Sequence, residues 1–192
     1  MAITTLNNRA INRSDTASAD QLWTATSATA TDFQAVSAGK VLQVQQLVYE
    51  TAQTLSINDT DADSGLTLAI TPAATSSKIL ISGFLTCGTN GSFGGFGWIL
   101  KRGSTVIGTP TSGGSGAQNR YHVSFLNPTQ AISGSTVTPV PFEFLDSPSS
   151  TSSTTYTLTA RGVSGTDSIY VNRSSVTTMV YKSILTLMEI GA

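Results

Sequence analysis

Apolar and polar residues alternate with a period of two through most of this chain, in short runs rather than long ones. "GLTLAIT" sets Leu66, Leu68 and Ile70 on one face and Thr67, Ala69 and Thr71 on the other, and Pro72 then stops the ladder. "FGWILKR" alternates Phe96, Trp98 and Leu100 with Gly97, Ile99 and Lys101. "RYHVSFL" opposes Tyr121, Val123 and Phe125 to Arg120, His122 and Ser124. "PFEFLD", "TYTLTAR" and "DSIYV" continue the pattern, and "KSILTLMEI" places Ile184, Met188 and Ile190 opposite Leu185 and Leu187. "SKILISGFLT" is apolar at nearly every position, which predicts a strand covered on both faces.

The clusters "NDTDADSG", "GTNGSFGG", "TSGGSGAQN" and "SPSSTSS" separate these runs. Gly there supplies positive φ, and Asn, Asp and Ser bond their own backbone, so each cluster reads as a turn. Nine or ten short strands punctuated this way predict an all-β fold. The expected architecture is an antiparallel β-sandwich, in the form of a jelly roll, with a barrel as the alternative. No segment after residue 40 carries the period of a long helix, and no internal repeat of fixed length is present.

Residues 1–40 break the pattern. Their large apolar residues, Ile3, Leu6, Ile11, Leu22, Trp23, Phe33 and Val36, stand singly among small polar ones. Neither period persists, so this segment has no face of its own to bury against its ordering entropy. It is expected to be an extended N-terminal arm, with residues 41–192 as the sandwich domain.

Composition narrows the function. Charged residues make up only 11% of the 192-residue chain, against about 25% in ordinary globular chains, while Ser and Thr exceed a quarter. The net charge of −1 provides no basic patch for nucleic acid or an anionic membrane. No apolar run approaches the ~18 residues that span a bilayer. One cysteine, Cys87, rules out an intrachain disulfide, and "MAITTLNNRAINR" lacks the apolar stretch of a secretory signal, so cytoplasmic assembly is expected.

Candidate chemistry is sparse. Cys87 and His122 are the only cysteine and histidine and match no metal spacing. Asp59, Asp61 and Asp63 invite a calcium loop, but positions six and twelve from Asp59 hold Ser64 and Ile70 instead of Gly and Glu, which leaves only a looser calcium turn. "GSFGGFG" is followed by a strand pattern instead of a helix N-terminus, which argues against a phosphate cradle. N-x-[ST] sequons start at Asn12, Asn58, Asn90 and Asn172, but so Ser/Thr-rich a chain yields about two or three by chance, and without a secretory signal they carry little weight. Glu143 and Glu189 are the acids within strand patterns; nothing pairs them for glycoside cleavage, and Glu189 is expected to face outward. No catalytic residues, metal or cofactor are therefore expected.

"ITPAATSSKILI", "LKRGSTVIG", "EFLDSP" and the terminal "LTLMEIGA", together with the opening "AITTLNNRAINRSDTA", resemble a family of bacteriophage virion proteins found in phages of cyanobacteria and other aquatic bacteria. The resemblance covers most of the chain. It implies a structural virion component with a β-sandwich body, assembled as a homotrimer in the bacterial host cytoplasm. The expected role is a capsid cement, or decoration, protein on the outer shell, in contact with the major capsid protein and neighbouring cement subunits. Ile3, Leu6, Ile11, Leu22, Trp23 and Phe33 are the expected anchors of the arm, each worth about 1.5–3 kcal/mol when buried in a partner. The alternative is a receptor-binding module of a tail fibre or tail tip. A tail enzyme cleaving polysaccharide is a third class, disfavoured by the missing carboxylate pair.

Overall fold

The computed structural model describes residues 21–25, 31–35, 39–57, 60–89, 96–111, 122–125, 137–162, 167–175 and 179–191. Among them are thirteen β-strands and no helix. The chain divides into two compact units, Met1–Lys40 and Val41–Ala192.

In the first unit, β1 (Gln21–Ala25) and β2 (Thr31–Ala35) pair as an antiparallel hairpin. The register sets Trp23 directly opposite Phe33. The described part of the expected extended arm is thus a two-stranded ribbon. Each strand is only five residues long, too short for an alternation to stand out in the sequence.

The second unit is an antiparallel β-sandwich. One sheet contains β3 (Val41–Tyr49), β4 (Gln53–Ile57), β6 (Lys78–Thr89), β10 (Val137–Asp146), β12 (Asp167–Val171) and β13 (Ser183–Ile190). The other contains β5 (Ala62–Ile70), β7 (Phe96–Arg102), β8 (Thr105–Ile107), β9 (Val123–Phe125) and β11 (Thr154–Gly162). β6 is the axis of the larger sheet. β10 runs along one side of it, while β13 and β12 lie end to end along the other, against Lys78–Phe84 and Cys87–Thr89 respectively. β3 and β4 continue outward from β13 and β12. In the smaller sheet β11 joins β5 to β7, and β8 and β9 share the far side of β7. Each sheet is therefore four strands wide.

The alternation in the sequence fixes which residues enter the core. Ile79, Ile81 and Leu85 of β6, Val140 and Phe142 of β10, Ile169 and Val171 of β12, and Leu185 and Leu187 of β13 meet Leu66 and Ile70 of β5, Phe96, Trp98 and Leu100 of β7, and Tyr156, Leu158 and Ala160 of β11. Phe96 and Trp98 pack edge to face, with centroids 5.5 Å apart. Each fully buried large side chain contributes about 1.5–3 kcal/mol, so truncating Trp98 to Ala would open the centre of the core.

Polar groups close the places where strands end. Asn172, at φ 56°, turns the chain out of β12, a left-handed conformation that Asn tolerates. Its backbone N–H donates to Thr86 O, its amide to Tyr49 O and Thr51 O, and its Oδ1 accepts from Ser183 Oγ at 2.6 Å. Fully buried and fully engaged, this asparagine is a joint between β3, β6, β12 and β13, not an accessible sequon.

Candidate functional site

The chemistry-bearing side chains are spread through the fold and serve it. Cys87 is buried in the core, and its thiol is pushed up to about 12 by burial, partly offset by the indole N–H of Trp98. That N–H has no acceptor in full hydrogen-bond geometry. His122 Nδ1 lies 2.9 Å from Gly108 O and its ring stands edge-on to Phe144, whereas Cys87 lies in β6 and is not among these partners.

Of the three aspartates considered for calcium, Asp59 lies outside the described residues. Asp61 receives Lys101 Nζ at 2.5 Å and Arg161 Nε at 2.6 Å. Burial raises its pKa, but hydrogen bonds and charge from Lys101 and Arg161 outweigh that and hold it low. Asp63 Oδ1 instead accepts the Gly65 N–H at 2.8 Å. The two carboxylates thus serve different partners, and no cluster of three metal-ligating side chains occurs among the described residues.

Glu143 is exposed on β10, whereas Glu189 is fully buried, correcting the expectation that it faces outward. Alternation along β13 puts it on the core side with Leu185 and Leu187. Its carboxylate accepts Gln43 Nε2 at 2.6 Å and the Ala73 N–H at 2.7 Å. Burial raises its pKa, and hydrogen bonds from Gln43, Ser77 and Ala73 more than compensate, so the net shift is downward. Ser77 Oγ lies near enough to contribute, though outside full hydrogen-bond geometry.

Among the expected arm anchors, Leu22 and Trp23 fall in β1 and Phe33 in β2. Ile3, Leu6 and Ile11 lie outside the described residues.

The surface feature that sequence reading missed is the outer face of the six-stranded sheet. Cross-strand register arranges it in rows. Val48, Ile184, Phe84 and Pro141 form one row, and Val44, Met188, Leu80 and Leu145 another. Between them runs a polar row of Gln46, Thr186, Ser82 and Glu143, in which Gln46 Nε2 donates to Thr186 Oγ1 at 3.1 Å. Val44, Val48 and Leu145 are about half exposed, at 50%, 46% and 46%. Ile184, Met188, Leu80 and Phe84 are half-buried. The three rows contain a single charge, Glu143. No single strand reveals these rows, because they appear only when four strands are set in register.

The second unit is thus an antiparallel β-sandwich whose larger sheet presents apolar rows with a single charge, Glu143, among them. No family model and no curated protein matches the chain. Among solved structures, it is similar to a chain of the infectious bursal disease virus Gx strain, at 13% identity and a TM-score of 0.33, covering 86% of this chain and 41% of that one. It is also similar to a mutant VP2 protein of infectious bursal disease virus from derived T=1 particles, at 10% identity and a TM-score of 0.33, covering 87% of this chain and 43% of that one. The chain thus spans about two-fifths of these proteins' length.

Proposed function

We propose that this protein is a structural virion component that acts by contact, not catalysis: a capsid cement protein, assembled as a homotrimer on the outer shell and tethered through its N-terminal segment. The observation that carries the reading is the apolar outer face of the larger sheet, on a body whose Asp61, Asp146 and Glu189 carboxylates are engaged in holding the fold. The strand order supports a jelly roll: β3, β13, β6 and β10 make one four-wide sheet and β5, β11, β7 and β8 the other. β3 pairs with only β13 among the described strands, and its sequence VLQVQQLVY has no charge or proline to blunt that edge. Such an edge suits addition of an extended segment from a neighbour.

The test is deletion of residues 1–22. The expected outcome is a folded body that no longer protects particles from heat or osmotic shock. Equal protection by the truncated protein would refute the tether. Copy number separates the second reading, a tail-fibre receptor-binding module: cement is present in hundreds of copies per particle, a fibre in a few to tens.

A further inference from the structure

We infer that the outer face of the six-stranded sheet binds the same face of a second copy of this chain, about a twofold axis parallel to the strands and between β13 and β6. The inference goes beyond the virion reading and does not depend on it.

Three observations lead there. The first is extent. The two apolar rows cross all four strands of the sheet, from β3 through β13 and β6 to β10, and their outer members Val44, Val48, Pro141 and Leu145 are exposed. The second is pattern. A twofold axis in that position reverses each row upon itself. Val48 then faces the partner's Pro141, Ile184 faces Phe84, Val44 faces Leu145 and Met188 faces Leu80. The third is polar complementarity. The same operation sets Thr186 against Ser82 and brings Gln46, a donor, to Glu143, the one charge in the three rows. An axis along the rows would instead oppose Glu143 to itself. Face-to-face packing of two sheets is aligned within about 30° and leaves about 10 Å between them, which these side chains fill. A threefold contact elsewhere on the subunit is compatible, and this face would then pair trimers.

The experiment uses the full chain. Sedimentation equilibrium is expected to give a dimer, or an even-numbered assembly, and Met188→Lys and Val44→Lys are each expected to halve the mass with circular dichroism unchanged. The double variant Val44→Cys/Leu145→Cys is expected to form covalent dimers with a short bismaleimide, and neither single variant is. Within one chain those positions lie three strand spacings apart, ~14 Å. A monomeric wild type, an assembly indifferent to both lysine variants, or single-cysteine variants that cross-link as well as the double one would each overturn the proposal. Failure of the particle-protection test would leave it standing, since no particle enters this measurement.

Discussion

Asp146 and Glu189 occupy one rung of the six-stranded sheet, each the direct cross-strand partner of Ile79, and both carboxylates lie on the core side. They are held differently. Asp146 meets a cation from the opposite sheet: Arg102 Nη1 lies 2.9 Å from both its oxygens, and Tyr156 Oη donates to Oδ2 at 2.8 Å. Glu189 accepts from uncharged donors, the Gln43 amide and the Ala73 N–H in the loop that follows β5. The rung ties both sheets and that loop together at one end of the sandwich.

Removing the cation should cost more than removing the phenol. Tyr156→Phe deletes one hydrogen bond and is expected to cost about 1 kcal/mol, whereas Arg102→Met strands a buried carboxylate and is expected to cost about 2–4 kcal/mol. Urea denaturation at neutral pH measures both, and equal losses would sink the idea that the ion pair dominates. Burial, then the hydrogen bond and charge of Asp146, raise the Tyr156 pKa above its ordinary 10.0. A raised folded-state value gives stability that is complete below pH 10.0 and declines as the pH rises toward the folded value. The difference between wild type and Tyr156→Phe should therefore shrink above pH 10.0.

Glu189 predicts the opposite limb. Its folded pKa lies below the ordinary 4.5, so its contribution is complete above pH 4.5 and is lost as the pH falls through the folded value. Glu189→Gln keeps the shape but sets an amide N–H₂ among donors, at a cost of about 1–3 kcal/mol at pH 7. Denaturation at pH 7 and pH 3 should show a large gap between the two proteins at the higher pH and a smaller one at the lower. A gap independent of pH would contradict the assignment.

Gly65 lies within β5, where the register with β11 shifts between Thr157 and Thr159. Its φ is +82°, and a Cβ there would run into the ring of Tyr49. Gly65→Ala is expected to cost about 1–3 kcal/mol from the backbone alone, with the steric clash added. Adding Tyr49→Ala should relieve only the clash, so the double variant should be less destabilised than the sum of the singles. Strict additivity in thermal denaturation would show that the contact carries no energy.

How far the sequence reveals this fold depends on the range of the contact. Leu66, Ile70, Tyr156 and Leu158 enter the core as alternation predicts, because period two is a local property of the backbone. Parity also places Glu189 beside Leu187, a signal overridden by the expectation that a lone acid faces water. Its donors could not be anticipated: Gln43 lies 146 positions away and Ala73 lies 116. The same holds for Asp61, whose partner Arg161 is 100 positions distant. The apolar rows of the outer face require the register of four strands at once. "SKILISGFLT" did predict a strand covered on both faces, and in the single chain Leu80 and Phe84 remain only partly covered.

Cys87 offers a probe of opening. With the thiol at 5% exposure and pushed up to about 12, a thiol-specific disulfide reagent at pH 8 should leave the native protein unmodified over hours and react at once in denaturant. At low denaturant the labelling rate should track the global unfolding free energy, because Cys87 lies in the central strand β6, among the residues that open last. Rapid labelling of the native protein would mean that β6 separates from its neighbours locally, which would contradict its place at the centre of the sheet. The same inertness makes cysteines introduced at Val44 and Leu145 the reactive ones, so a cross-linked dimer of that variant reports the outer face and not the core.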